Sequence, residues 1–484
     1  MTRDRGIGWG LAALAALPVA VVPVPLMADL PNHVARHHVM AQALFADGSP
    51  YWRVAWRWIG NLGVDLPAVL LTPWLGAELA TRLVAMLIAP LMVLGLIALG
   101  RAAHGRITAG VALALPFAFA HPWHFGFLNS CLSVALALFV AAAWYRRPAD
   151  TALRSAGFAL AALGVWSAHV MGWGVLLLLV AGAELARFGE ARARLWRTLP
   201  LFAPLVPLAL WRESGGRLYA VASHPLADKI ANAATMLRGI DRSFDLAMLA
   251  VLALAGAGAL WTAQARRVEP RLAAAAVLLG GAFVIVPATV LGSWGADLRL
   301  APVAAMVALL AIGPSGNPRI GRGLIALGVA LFVVRALVTT VVWQQAQPEL
   351  ARRLALLERV PRGSRLAFLE AEVSCHPHWP HDIDDKLASF AVVRRDAFVN
   401  ALFKIPGADI VSRARPADAG WFDRSQVLDC GGPSDQFARR VAAFARAGFT
   451  TIWIADGPLA APPPGYRIAY RDRRDTILTA SRLE

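Results

Sequence analysis

The part of the sequence best suited to chemistry is a short polar segment, residues 29–38, which reads DLPNHVARHH. It combines a carboxylate, Asp29, with imidazoles that begin at His33 and with a guanidinium, Arg36. The segment directly follows the apolar run 7–27, which is long enough to cross a bilayer. Ionisable side chains at the end of a membrane helix meet water and lipid headgroups and avoid burial in hydrocarbon. This position suits chemistry on a lipid-linked substrate.

Asp29 is the candidate general base, because a carboxylate can accept the proton of a hydroxyl nucleophile. It also precedes a predicted helix, residues 30–44, with a proline at the second position, so capping of that helix is the alternative role. His33 and His37 lie four positions apart and therefore share one face. They could bind a metal ion or orient Asp29, or they are ordinary polar residues of a partly wet helix. Arg36 would reach toward headgroups, as a substrate ligand or as surface charge.

Two further features lie in the first external loop, residues 28–78. In segment 51–58, YWRVAWRW, helical spacing would place Arg53 and Arg57 on one face and two tryptophans on another. Aromatic rings prefer the headgroup level and guanidiniums bind phosphate, so we expect an interfacial helix that holds a lipid phosphate or acts only as an anchor. Asp65 is a carboxylate in an apolar stretch and needs a partner. That partner is one of these arginines, a metal or a substrate.

Polar residues at the ends of later apolar runs are further candidate substrate ligands. His124, Asn129 and His169 fall at corners of short spans, where they would line a cavity or pack with their hydrogen bonds satisfied. Asp297 and Arg299 lie two apart in WGADLR and most simply fix a loop. Binding of a phosphate or an acceptor by Arg299 is the alternative.

The three cysteines carry less information. Cys131 lies in an apolar span and is expected to be a packing residue. Cys375 and Cys430 fall in the region expected outside the cytoplasm, where they form a disulfide or remain two separate thiols. The ligand-rich stretch 375–382, CHPHWPHD, matches no standard zinc spacing and is expected to be a loop.

Composition assigns the chain to the membrane proteins. Hydrophobic residues make up 58% of the 484 residues and charged residues only 16%, and the mean hydropathy is +0.55. Ordinary soluble domains have about 45–50% apolar and about 25% charged residues. The net charge of +16 does not indicate nucleic-acid binding, because the arginines are spread through short segments between apolar runs.

The apolar runs predict a polytopic protein with eleven transmembrane helices. The spans are 7–27, 79–100, 107–120, 128–144, 154–168, 171–187, 198–211, 246–263, 272–291, 301–313 and 323–343. With the N-terminus in the cytoplasm, the segments on that side hold 16 arginines and four acidic residues, as the positive-inside rule requires. A cleaved signal peptide is the alternative for the first span, although that run is long for one.

Four spans, 107–120, 154–168, 198–211 and 301–313, are short for about 30 Å of hydrocarbon. Either they thin the bilayer or the protein encloses a polar cavity that opens to the outer face. The second arrangement suits an enzyme.

The composition changes near residue 345, which divides the chain into a transmembrane domain, 1–344, and a small extracytoplasmic α/β domain, 345–484. We predict strands at 365–369, 390–393, 450–455, 466–470 and 475–479 and a helix at 434–447.

Together these features resemble the GT-C fold glycosyltransferases. The resemblance rests on an acidic first external loop, several short spans, a C-terminal outer domain and the local patterns DLPNHVAR, GFLN at 126–129 and DLR at 297–299. It implies a sugar donor carried on polyprenyl phosphate, with Asp29 acting on the acceptor nucleophile and inversion at the sugar. Known members often carry two adjacent acidic residues here, whereas Leu30 follows Asp29, so dependence on a divalent metal ion is left open.

The sequence therefore favours a multi-pass enzyme of the bacterial cytoplasmic (inner) membrane, with membrane lipids and a polyprenyl-phosphate-linked sugar donor as partners and no nucleic acid. Sugar and acceptor are not specified. A lipid or solute transporter is one alternative, but the ionisable residues cluster at the span ends and the chain shows no two-half symmetry. A non-enzymatic assembly or sensor protein is the other.

Overall fold

The computed structural model describes residues 2–187, 195–213, 226–263, 268–290, 293–370, 379–380, 383–403, 410–414, 420–421, 423–428, 432–457 and 461–481. The statements below concern these residues.

Helices dominate the first 355 residues. They are α1 Thr2–Ala20, α2 Leu30–Phe45, α3 Asp65–Met86, α4 Ile88–His104, α5 Ala109–Ala114, α6 His121–Phe125, α7 Leu128–Arg146, α8 Ala152–Ala168, α9 Val170–Leu185, α10 Leu205–Glu213, α11 Leu226–Ala234, α12 Arg242–Trp261, α13 Pro270–Ile285, α14 Ala296–Leu310 and α15 Pro318–Ala355.

Four described helical stretches are long and apolar enough to cross a membrane. They are Asp65–His104, Leu128–Arg146, Arg242–Thr262 and Pro318–Arg359. Four shorter apolar helices accompany them, at Gly6–Ala20, Ala152–Ala168, Val170–Leu185 and Pro270–Ile285. Large side chains such as Leu254, Trp261 and Ile285 are 74%, 81% and 78% exposed, as expected of surfaces that contact lipid. The chain is a membrane protein, and the count of eleven crossings stays a prediction.

Two of the short predicted spans are not continuous α-helices. The region 107–120 consists of α5 followed by a 3₁₀ helix, Leu115–Phe119, and both pieces are buried. The region 198–211 likewise combines the 3₁₀ helix Leu195–Phe202 with α10. Broken helices of this kind occur at membrane depth only where other protein or water satisfies the backbone.

The C-terminal part of the chain forms a five-stranded mixed sheet. Its strands are β4 Arg365–Glu370, β5 Phe398–Val399, β7 Thr451–Ala455, β8 Tyr466–Arg471 and β9 Asp475–Ala480, in the order β5-β4-β7-β9-β8. Both partners of β4 run parallel to it, whereas β9 is antiparallel to β7 and β8. The remaining helices are α16 Phe390–Arg395 and α17 Gln436–Arg446. Four of the five predicted strands and the predicted helix are confirmed.

The strand predicted at 390–393 is wrong, since this segment is the start of α16. Phe390, Ala391 and Val392 are all buried there. Three consecutive buried side chains cannot alternate between the two faces of a strand that has one side in water, but they fit a helical turn enclosed by neighbours. The helix packs against α2.

The interfacial helix predicted at 51–58 is also wrong. Residues Trp52–Val54 form a strand, β1, that pairs antiparallel with β6, Val411–Arg413. Trp52 is buried and stacks on Phe398 with ring centroids 5.3 Å apart, while Arg53 points to solvent. Alternate residues of a strand face opposite sides, so the pairing separates the tryptophan from the arginine. The first loop is thereby joined to the C-terminal part of the chain.

Two short strands, β2 Thr289–Val290 and β3 Ser293–Trp294, pair antiparallel ahead of α14. The 38-residue helix α15 leads from the transmembrane helices to the C-terminal sheet, and a buried ion cluster fixes its end. Arg353, fully buried, contacts Asp475 at 3.2 Å and also the carboxylate of Asp384. Trp453 on β7 donates to the same Asp475 at 2.9 Å.

We expect Arg353→Met to destabilise the protein by up to about 3–5 kcal/mol, because it removes the fully buried cation that Asp475 and Asp384 share and leaves Asp475 with Arg352, at 3.1 Å, as its cation. The measurement is the thermal unfolding midpoint of the detergent-purified protein. Arg362→Gln is the matched control, since Arg362 is 69% exposed and pairs only at the surface with Asp396. An unchanged midpoint for Arg353→Met would contradict the structural role of the cluster.

Candidate functional site

The polar segment 29–38 begins α2, as the sequence predicts, but the helix is buried instead of partly wet. His33, Arg36 and His37 are 7%, 2% and 0% exposed. Helix α2 packs between α3 on one side and α16 on the other. Its polar side chains are therefore excluded from bulk water and must find partners within the protein.

The main partner is Asp65, the first residue of α3, which is fully buried. Arg36 donates to both of its oxygens, with Nε 2.9 Å from Oδ1 and Nη2 3.4 Å from Oδ2. His37 Nε2 lies 3.0 Å from Oδ1, and Asn129 Nδ2 donates to Oδ2 at 3.3 Å. The other ring nitrogen of His37 lies 2.7 Å from the Thr81 hydroxyl. We call Asp65, Arg36, His37 and Asn129 the carboxylate knot.

All four residues of the carboxylate knot are ones that the sequence analysis singled out. Their contacts identify the partner of Asp65. That partner is Arg36 from α2, and the arginines of segment 51–58 are not needed for it. Because Asn129 also accepts the N–H of Val64 at 2.5 Å, it fixes the start of α3 as well as the carboxylate.

A metal ion is the alternative use of this region, since ligand atoms of His33, His37 and Asp65 lie within 4.8 Å of one another. The donor chemistry favours the hydrogen-bonded arrangement. Asp65 Oδ1 already accepts from Arg36 and His37, and a cation bound to it would lie beside a guanidinium that repels it. These residues fit a structural knot better than a metal centre.

His33 connects α2 to the turn before α7. Its Nε2 lies 3.1 Å from the carbonyl oxygen of Gly126, which can only accept, so Nε2 carries the proton. Burial, together with the charge of nearby His37, lowers the pKa of His33 to about 3. His33 is therefore neutral at ordinary pH and acts as a hydrogen-bond donor.

Asp29 lies at the N-cap of α2, but its carboxylate makes no capping hydrogen bond to the described helix backbone. Its own N–H donates to Phe125 O at 3.0 Å. Gly126 touches it so closely that a Cβ there would lie 3.2 Å from Asp29 Cβ, and a φ of +90° also favours glycine. The carboxylate is 15% exposed, and Lys386 Nζ lies 3.6 Å from Oδ1.

Arg299, in the first turns of α14, brings a second positive charge to this corner. It is buried, its guanidinium lies 3.8 Å from the centroid of the Phe127 ring, and its charge interacts favourably with that of Asp29. Asp29, Lys386 and Arg299 thus form what we call the polar corner. It contains one partly exposed carboxylate and two cations, which can bind an anionic group and accept a proton.

Lys386 was not predicted from the sequence as a residue of the site. It lies on a 3₁₀ helix, Asp384–Ser389, and also pairs with Asp385 at 3.0 Å. Two features of the sequence could have indicated it. Lysine is rare in this chain, which has only three, and this lysine follows two aspartates.

Three other predicted substrate ligands contact protein groups that hold the fold together. Asp297 pairs with Lys229 at 2.9 Å. His169 caps α9 by accepting the Met171 N–H at 3.0 Å. His124 is 1% exposed and packs edge-on against two tryptophans, and neither of its nitrogens has a hydrogen-bond partner among the described residues. None of these three joins the polar corner through a described hydrogen bond or ion pair.

Arg53 and Arg57 lie on the exposed segment that carries β1. The prediction that they bind a phosphate together assumed a shared helical face, and this segment carries a strand instead. Both residues are exposed.

A buried ion pair between two membrane helices was also missed. Arg335 Nη1 donates to Asp245 Oδ1 at 2.7 Å, and Trp379 donates to Oδ2 at the same distance. The N–H groups of Gly239 and Ile240 complete the carboxylate's partners. A sequence signal existed, since Arg335 is the one charged residue in the predicted span 323–343 and such residues are rare in hydrocarbon.

Cys375, Cys430 and most of the stretch 375–382 lie outside the described residues, so the predicted alternatives for the two cysteines stay predictions. Cys131 is buried in α7, consistent with the packing role expected of it.

Two solved structures are similar to this chain over nearly its whole length. One is the crystal structure of ArnT from Cupriavidus metallidurans in the apo state, with 12% identity, a TM-score of 0.58 and coverage of 99% of this chain and 98% of that chain. The other is ArnT from the same organism bound to undecaprenyl phosphate, with 13% identity, a TM-score of 0.51 and coverage of 99% and 97%. No protein-family model and no curated protein matches the chain.

At these identities the similarity establishes the fold. The chain has the fold of ArnT, so the GT-C fold that the sequence resemblance implies is confirmed. The DLPNHVAR pattern itself receives no support from the comparison.

The surroundings of His33 predict a pH effect on stability. Arg36, His37 and Asp65 are the titratable groups beside it. Its pKa is about 3 when folded and 6.5 when unfolded, so between these values the unfolded chain binds more protons. Stability is therefore lost as the pH falls below 6.5, by up to about 1.4 kcal/mol per pH unit for this group.

His33→Gln, which keeps a donor for the Gly126 carbonyl, should reduce this loss. The measurement compares unfolding midpoints of both proteins in detergent between pH 8 and pH 5. Equal losses in the two proteins would show that His33 does not remain neutral in the folded state.

Proposed function

We propose that this protein is a membrane glycosyltransferase that transfers a sugar from a polyprenyl-phosphate donor to an acceptor. The observation that carries the proposal is the polar corner of a chain with the ArnT fold, in which the partly exposed carboxylate of Asp29 lies 3.6 Å from Lys386 and attracts the buried charge of Arg299. ArnT itself was crystallised with undecaprenyl phosphate, a lipid of the donor's chemical class.

The corner contains the groups that such a transfer requires. Asp29 would accept the proton of the acceptor hydroxyl while the acceptor oxygen attacks the anomeric carbon. The bond between that carbon and the phosphate oxygen breaks, and polyprenyl phosphate leaves with the added negative charge. Arg299 and Lys386 would stabilise that charge. Because the phosphate is already a good leaving group, one carboxylate suffices, and a single displacement inverts the anomeric centre.

The other residues of the site would act mainly by positioning. The carboxylate knot holds α2 against α3 and α7, and Asp29 directly precedes α2. The hydrogen bond from His33 to Gly126 holds the same end of the helix. Rigid support of this kind keeps a base within reach of its proton. Arg53 and Arg57 remain candidates for contact with the donor lipid through their exposure and charge.

We further propose the sidedness that the arginine distribution implies, with the polar corner and the C-terminal part of the chain at the outer face of the bacterial cytoplasmic membrane. The acceptor would be a hydroxyl-bearing molecule that reaches this face, and dependence on a divalent metal ion is left open.

The buried charge pair offers no support for the transporter alternative. Asp245 and Arg335 are 1% and 0% exposed, and both are hydrogen-bonded to protein groups. A pair held in this way fixes helices to one another and does not line an ion path.

Asp29→Asn should lower sugar transfer by about two to four orders of magnitude, the range expected when a general base is lost. Folding should survive, because the side chain makes no capping bond to the helix. The assay follows transfer from a labelled polyprenyl-phosphate donor in membranes that contain equal amounts of each variant. Asp47→Asn, an exposed aspartate of the same loop, is the matched control and should be fully active.

Arg299→Gln should also slow transfer, since it removes a cation from the leaving phosphate. Near-normal turnover by Asp29→Asn would remove the proposed base, whereas a wild-type protein without transfer from any polyprenyl-phosphate sugar would argue against the reaction itself.

A further inference from the structure

A cleft of about 490 Å³, which none of the polar-corner residues lines, lies where the end of α1, the end of α15 and α16 meet. Its volume falls within the roughly 300–1,000 Å³ typical of small-molecule sites. Nothing in the proposed transfer uses it.

The cleft lies at the edge of the lipid-facing surface. On α15, Val334, Leu337 and Val341 are 45%, 45% and 49% exposed and mark the face toward hydrocarbon. The cleft begins beyond them, at Gln347, and on the other side it is bordered by Pro23, just after α1 ends. The exposed apolar face of α15 thus ends where the cleft begins, as expected of a site at the level of lipid headgroups.

One wall of the cleft is apolar and fixed. Leu350, Leu354 and Leu357 line it and are otherwise buried. The side chain of Gln347 holds Val24 in place by accepting its N–H at 3.2 Å and donating to its carbonyl at 3.0 Å. An acyl chain or glycerol unit could lie against this wall without disturbing the helices.

The other wall carries charges. Arg394 is neutralised by Glu78, which accepts two hydrogen bonds from it at 2.8 Å. Arg395 donates through Nε to the Val360 carbonyl at 2.7 Å. Within the described part of the chain, Arg395 makes no ion pair and neither does Glu358, although both line the cleft.

We infer that this cleft binds the headgroup of a phospholipid that carries a primary ammonium, as in phosphatidylethanolamine. The phosphate would meet Arg395, the ammonium would meet Glu358, and the acyl chains would leave along the apolar wall toward the bilayer. The argument is charge complementarity, since a zwitterionic headgroup supplies one anion and one cation to two opposite charges that do not pair with each other. The cleft thus joins α1, α15 and α16 through a lipid.

The binding also has a defined preference. A quaternary ammonium has no N–H to donate to Glu358, and a glycerol headgroup has no positive charge. Phosphatidylethanolamine should therefore bind better than phosphatidylcholine, and phosphatidylglycerol should bind worst because Glu358 repels a purely anionic lipid.

Native mass spectrometry of the full-length protein in detergent, with each lipid added at equal concentration, tests the inference. We expect phosphatidylethanolamine adducts on the wild type and at least a fivefold loss of them in Arg395→Gln. Glu358→Gln should instead narrow the difference between phosphatidylethanolamine and phosphatidylglycerol. Arg362→Gln, an exposed arginine that does not line the cleft, is the control and should bind like the wild type.

Unfolding midpoints identify variants that bind less because they are misfolded, and Arg395→Lys, which keeps the charge, should recover part of the binding. Equal retention of the three lipids by the wild type, or unchanged retention by Arg395→Gln, would overturn the inference. Soluble phosphoethanolamine that stabilises the protein as much as the lipid would overturn the assignment to a membrane lipid.

Discussion

The architecture around the site depends on one buried carboxylate. Asp65 has no exposed surface, and an unpaired charge there would be strongly unfavourable. Its partners come from α2 and α7, so its charge is satisfied only when these helices meet at the start of α3. This requirement fixes the position of α2 and with it the residue that precedes the helix, Asp29.

Helix α2 then links the two ends of the chain through its polar side chains. Asn32 accepts a hydrogen bond at 2.5 Å from Ser389, the last residue of the 3₁₀ helix that supplies Lys386. The next residue, His33, bonds to Gly126 in the turn before α7. A helical segment that is buried all round ordinarily carries apolar residues, whereas in the first three turns of α2 directed hydrogen bonds determine which elements surround it.

The sequence was informative where local pattern and chemistry agreed. It predicted α2 and the need of Asp65 for a partner, because a carboxylate in an apolar stretch allows few solutions. It misassigned segment 51–58, because the i, i+4 spacing there fits a helix. Part of the segment forms a strand only because a strand distant in the sequence supplies its hydrogen bonds. It missed Lys386, since nothing local indicates that residue 386 returns to residue 29. Arg335 could have been found, because a lone charge in an apolar span requires an explanation.

The antiparallel pairing of β1 with β6 and the bond between Asn32 and Ser389, 357 positions apart, have a consequence for biosynthesis. Contacts of such high sequence separation form late, after the intervening chain has been made. The first loop therefore leaves the ribosome before its partners have been made. At that stage β1 has no strand to pair with, and Lys386 is not yet present beside Asp29. A chain that stops before residue 386 would insert its helices yet leave the corner around Asp29 without this cation, so completion of synthesis and completion of the site coincide.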